Sequence, residues 1–118
     1  MAVTIPATNV YRAKVSAAAA AGGSLPAAAQ IAFGTGTTPP SPEDTALDAE
    51  VHRKDLDSAS AAGSVLTCIG VVDGSESTDA ITEVGVFDAD GDLMGRRTFA
   101  PKTLEAESSL RFTLNFQF

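Results

Sequence analysis

The sequence predicts a small α+β domain in which an N-terminal helix packs on a mainly antiparallel β-sheet or a small β-sandwich. Three runs of residues carry that reading. NVYRAKVSAAAAA, residues 9–21, is rich in good helix formers and is closed by Gly22 and Gly23. ITEVGVF and LMGRRTF flank DADGD, the composition of a hairpin reversal. SSLRFTLNFQF alternates apolar and polar residues, so Leu110, Phe112, Leu114, Phe116 and Phe118 share one strand face.

Taken in order, residues 1–8 read as an extended arm, and residues 9–118 as one domain. Pro6, Thr8 and Asn9 suit a helix start. Ala17 to Ala21 are expected to lay a smooth helix face against the sheet, with packing between subunits as the alternative. AAAQIAF is a strand, after which GTGTTPPSPED breaks regularity with glycines, threonines and prolines. TALDAEVHRKDLDS mixes both periods and is read as a short helix or turn around Leu47 leading into an extended stretch through Val51 and Leu56. GSVLTCIGVVDG has apolar residues on both parities, as expected of a central strand covered on both faces. The total is one main helix and five or six strands in mostly sequential antiparallel order.

Composition narrows the function classes. A formal charge of -7, with the basic residues scattered, leaves no patch able to displace counterions from phosphates, so no nucleic-acid partner is expected. With no Trp and abundant Ala, close backbone packing is favoured over deep pockets. MAVTIPATN lacks the basic and apolar regions of a secretory leader, and no segment approaches the length of a membrane span. Cys68, alone in the apolar run SVLTCIGVV, reads as a buried, inert thiol.

The motifs that could carry chemistry lack parts. DADGD spaces Asp88, Asp90 and Asp92 like alternate oxygen ligands, but an EF-hand loop needs Gly and Glu where this chain has Leu93 and Phe99. The reading is therefore a hairpin turn, with Asp side chains capping free amides and Gly91 at positive φ. GTGTT has neither the Lys nor the following helix of a phosphate loop. His52, the only histidine, has charged neighbours and is expected at a solvated or edge position. The pairs Glu43 with Asp44 and Glu105 with Glu107 fall in predicted loops without an apolar enclosure to raise a pKa. No catalytic, cofactor or metal site is expected. Glu83 stands out, since strand parity puts it on the face of Ile81 and Phe87, where a carboxylate is costly unless paired. A basic residue should meet it, from the middle segment (Arg53 or Lys54) or from the helix (Arg12), with Arg53 taken as the partner.

In order along the chain come a small-residue helix ending in Gly22 and Gly23, IAFGTG, a Pro-rich loop with PSPEDTAL, EVHRKDL, and EVGVFDADGDLMG. In these marks the chain resembles the N-terminal, tail-attachment domain of bacteriophage tail-collar fibre proteins, over nearly its whole length. The resemblance implies a non-enzymatic virion structural protein of the tail or collar, assembled in the host cytoplasm. Its domain would fix a host-attachment fibre to the baseplate or collar, commonly as a homotrimer, with other copies of itself and baseplate, collar or fibre proteins as partners. Family members usually continue into a shaft and receptor-binding tip, whereas this sequence stops at Phe118, so the expectation is not host recognition by this chain itself but a short adaptor that joins fibre to tail, or a reduced collar or head appendage. The alternatives are a capsid or neck decoration protein and, from another class, a carbohydrate-binding or hydrolytic module. The expected contact surface is the apolar face of Leu110, Phe112, Leu114, Phe116 and Phe118, with Val3 and Ile5 of the arm.

Overall fold

Alternation of apolar and polar residues turns nearly half of this chain into strands, and two sheets bury their apolar faces by stacking. The computed structural model of the protein describes residues 2–76 and 80–118. Its elements are β1 (Ala2–Thr4), α1 (Asn9–Ala21), β2 (Ala28–Gly34), β3 (Glu50–Asp55), β4 (Ser58–Ala62), β5 (Val65–Asp73), β6 (Ile81–Asp88), β7 (Leu93–Lys102) and β8 (Ser109–Gln117). One four-stranded sheet has the order β1-β8-β5-β4 and the other β3-β2-β6-β7. The chain crosses between sheets after β1 (through α1), β3, β5 and β7, so the strand order is less sequential than expected. All pairings are antiparallel except β1 with β8. The α+β class, with a helix beside two mainly antiparallel sheets, is what the residue pattern predicts.

The core lies between the sheets. Ile31 and Phe33 of β2 and Val84 and Val86 of β6 meet Cys68 and Val72 of β5 and Phe112, Leu114 and Phe116 of β8. Phe33 and Phe112 sit with ring centroids 5.4 Å apart, tilted as aromatic pairs prefer. β5 is central, but only Cys68, Gly70 and Val72 are buried, while Val65, Thr67, Ile69 and Val71 on its other parity are half-buried. The expected cover on both faces is therefore absent, because α1 packs beside β7 rather than over that sheet.

Thr8 is the N-cap of α1, its hydroxyl accepting from the Tyr11 amide at 3.3 Å. The same hydroxyl donates to the Leu93 carbonyl, and the Thr8 amide donates to the Met94 carbonyl at 2.8 Å, so the start of the helix is tied to β7. Gly22 ends the helix in the left-handed region (φ 73°). Tyr11 is the helix's buried residue and Val15 packs half-buried against the core, whereas Ala17, Ala19, Ala20 and Ala21 are exposed. The smooth alanine face expected against the sheet thus points to solvent.

No helix forms around Leu47. That side chain instead folds over the outer face of the second sheet, packing with Ala32, Phe87 and Leu93 in a small second core. β1 and β4 are additions to the predicted strands. The arm is extended as predicted, but it joins its own sheet, with Val3 in register with Leu114. No helix among the described residues is long and apolar enough to cross a membrane.

Candidate functional site

The residues expected to meet a neighbour are mostly spent inside the fold. Phe112, Leu114 and Phe116 are each 1% exposed or less, and Ile5 is buried with them. Leu110 is half-buried against the same core. This corrects the expected contact surface: β8 is an inner strand of its sheet, and its apolar face is covered by β2 and β6 of the other sheet. Phe118 alone of that face is open, 55% exposed, and it leans on Tyr11 and Phe116. The Val3 side chain lies outside the described residues.

Glu83 is fully buried on the face of Phe87, as strand parity predicts, and is the centre of a polar knot, whereas Ile81, across a register shift from it, packs in the core between the sheets. Its Oε2 accepts from the amides of Gly36 at 2.8 Å and Ala49 at 2.7 Å, and its Oε1 from the Asp48 amide at 2.9 Å. The fourth donor is Arg96, whose Nε lies 3.1 Å from Oε1. Arg96 is itself buried and spends its other nitrogens on the Asp44 carboxylate at 2.9 Å and the Thr38 carbonyl at 2.7 Å. The glycines of GTG make this possible: a Cβ on Gly34 would lie 2.6 Å from both Glu83 Oε2 and the Ala49 carbonyl.

The expected pairing of Glu83 with Arg53 is therefore overturned. β2 separates β3 from β6, and Arg53 reaches across it only to Phe87, with its guanidinium carbon 3.7 Å from the ring centroid, while binding Glu50. Arg96 instead sits on the strand next to Glu83, opposite Gly85 and on the same face. The register shift between Val86 and Phe87 brings Arg96 onto the Glu83 face, diagonal to it, and the turn at DADGD alone does not announce that shift.

A second cluster joins the sheets at the surface. Lys54 Nζ donates to the Val71 carbonyl of the other sheet at 2.8 Å and to Glu76 Oε1 at 2.9 Å. His52 Nε2 meets Glu76 Oε2 at 2.9 Å, and the His52 ring stacks on Phe33. With the Lys54 ammonium as the main cause, then the Asp73 amide and His52, the Glu76 carboxyl is held down to about 2. The expected edge position of His52 is correct, since β3 is an edge strand.

The acidic turn forms a third cluster. Asp88 Oδ1 accepts from the amides of Asp90 and Asp92, and Gly91 takes φ 87°, the capped turn that its composition predicts. Carboxylate oxygens of Asp88, Asp90 and Asp92 lie within 4.8 Å of one another. They converge on the Lys14 ammonium, at 2.7, 3.1 and 2.6 Å, so a side-chain cation from α1 offsets part of the group's charge. Those hydrogen bonds, Asp88's foremost, push the Lys14 pKa up.

An open cleft of about 300 Å³ lies between the Pro-rich loop and Arg96, lined by Thr38, Asp44, Leu47 and Asp48 among others. Several of its polar groups are engaged: Asp44 holds Arg96, and the Thr38 hydroxyl donates to Asp48 at 2.9 Å, which lowers the Asp48 pKa. Burial pushes the Cys68 thiol up to about 11, so it remains protonated and unreactive. Sequence reasoning named Glu83, the turn and Thr8 as a helix starter, but not Arg96, Lys14 or Glu76, whose roles need the topology. No protein-family model matches the chain, and no curated protein matches it.

Proposed function

We propose that the protein is a non-enzymatic structural component of a tailed-phage virion, an attachment or adaptor domain that fixes fibres to the baseplate, collar or neck. The observation that carries this reading is the convergence of the resemblance marks. IAFGTG supplies the Gly36 amide, PSPEDTAL supplies Asp44, and the run that begins EVGVFDADGDLMG supplies Glu83 and, one residue beyond it, Arg96. Segments far apart in sequence thus build one device, a buried carboxylate that clamps the Pro-rich loop onto the sheet. Such a clamp makes a stiff body with fixed surface loops, as a joint that transmits force requires.

The engagement of acids and bases favours the same reading over the catalytic alternative. General acid–base work needs a group within reach of substrate whose proton is available near the working pH. Glu76, Asp48 and the carboxylates around Lys14 are instead held by internal partners. The three-fold assembly implied by the resemblance would use surface other than the β8 face, which the domain's own core occupies. Quantitative mass spectrometry and gold labelling of particles from the phage that encodes the chain test the proposal. Copies in multiples of three or six at the tail are expected. Hundreds of copies on the shell would establish decoration instead, and glycan binding by the isolated chain would revive the carbohydrate-binding reading.

A further inference from the structure

A sheet edge carries unpaired amides and carbonyls, and proteins shield such edges with charge, proline, short length or a covering segment. The edges of this sandwich differ in that respect. β1 is 3 residues long and runs into Pro6. β7 contains Pro101, Arg96 and Arg97, and its leading carbonyls at Leu93 and Met94 accept from Thr8. β3 is charged along most of its length, with Glu50, Arg53, Lys54 and Asp55. β4, SASAA, has no charge, no proline and, among the described residues, no covering segment, and every residue in it is exposed.

The register identifies which backbone groups β4 leaves open. Phe118 and Gly74 donate to the carbonyls of Ser64 and Ser108, so even-numbered residues of β5 spend their backbone groups on β8. The odd-numbered Val65, Thr67 and Ile69 therefore face β4, opposite Ala62, Ser60 and Ser58. By the same alternation Ala59 and Ala61 aim their amides and carbonyls away from the sheet, and no strand among the described residues pairs with them.

We propose that β4 pairs antiparallel with β4 of a second copy, about a two-fold axis at Ser60. In that register Ala59 and Ala61 of one copy exchange backbone hydrogen bonds with Ala61 and Ala59 of the other, which satisfies the open groups on both. Ser60 faces its own counterpart as a non-hydrogen-bonded pair. The segment is self-complementary in charge, because no ionisable side chain within Ser58–Ala62 opposes another despite the chain's charge of -7. The same operation about Arg53 in β3 would set that guanidinium directly against its own counterpart, which is repulsive. The contact is isologous and joins the two sheets containing β4 into one continuous sheet. It is independent of the virion reading, since it rests on the edge alone.

Sedimentation of the full chain from micromolar to millimolar concentration, beside an Ala61→Pro variant, tests the pairing. Proline at position 61 removes an outward amide from each copy without touching the β4–β5 ladder. Even-numbered assembly, dimer or hexamer, that Ala61→Pro weakens about tenfold or more is the expected result. A chain that stays monomeric or purely trimeric, or assembly that the variant leaves unchanged, overturns the proposal. A second arm does not depend on tolerance of proline. Non-hydrogen-bonded pairs bring Cα atoms to about 4.5 Å, within disulfide range, and the native Cys68 is buried. Ser60→Cys should therefore cross-link to itself under mild oxidation much faster than Ser58→Cys. Equal rates for the two variants would overturn the two-fold register.

Discussion

On the flank of the sandwich where β1 and β7 lie, backbone groups find partners within the chain. Thr8 takes the leading carbonyls of β7, α1 packs beside it, and Ile5 donates its amide to Asn115 while its side chain enters the core. On the flank of β3 and β4, joined through Leu56 and Asp57, the surface clasp of Lys54, His52 and Glu76 spans the sheets, and β4 is left bare. The difference teaches where stability and assembly reside. The first flank and the Glu83 knot hold the domain together, and the second presents the surface that a partner can extend.

Substitutions at two neighbouring positions of one strand face break this comparison most severely. Phe116→Asp places a charge at a fully buried site in the core and should abolish folding, read as loss of the cooperative transition in circular dichroism. Phe118→Asp, at a half-open site, should fold normally. A folded Phe116→Asp protein would remove the interior role assigned to that face. Next in size, Glu83→Ala strands the buried Arg96 and three backbone amides, a loss of about 3–5 kcal/mol in denaturant unfolding. The double variant Glu83→Ala with Arg96→Met should recover little, because the amides of Gly36, Asp48 and Ala49 still lack an acceptor. Full recovery would reduce the knot to a simple ion pair.

Smaller effects separate the flanks. Thr8→Ala removes the helix cap and the bond to Leu93, and should cost about 1–2 kcal/mol in thermal or chemical unfolding. On the other flank, Glu76 has a folded pKa of about 2 against an ordinary 4.5. Its contribution is complete above pH 4.5 and disappears as pH falls towards 2, because the unfolded state takes up the proton first. The stability difference between the native chain and Glu76→Gln should accordingly shrink across that window. A difference that does not change with pH would show that the clasp stabilises through packing and not through charge.

How much of this was legible in the sequence follows from the range of each interaction. The helix over residues 9–21 and the hairpin around DADGD are local, set by propensity and turn chemistry, and the structure reproduces both. Glu83 was legible as a buried carboxylate through strand parity, but its partner depended on which strands are neighbours. The β8 face was legible as apolar, and its cover was not, because alternation tells which residues share a face and is silent on what stacks against it. β4 was invisible for a related reason: Ser and Ala are poor strand formers, and SASAA becomes a strand through the ladder it shares with β5.

Hydrogen exchange read by mass spectrometry, at low and at high protein concentration, tests the central claim most directly. The account predicts that β8 amides are strongly protected at both concentrations, because that strand is interior to a single copy, and that protection spreads to Ala59 and Ala61 only as copies associate. Protection that appears at β8 on association, with β4 unchanged at every concentration, would contradict it.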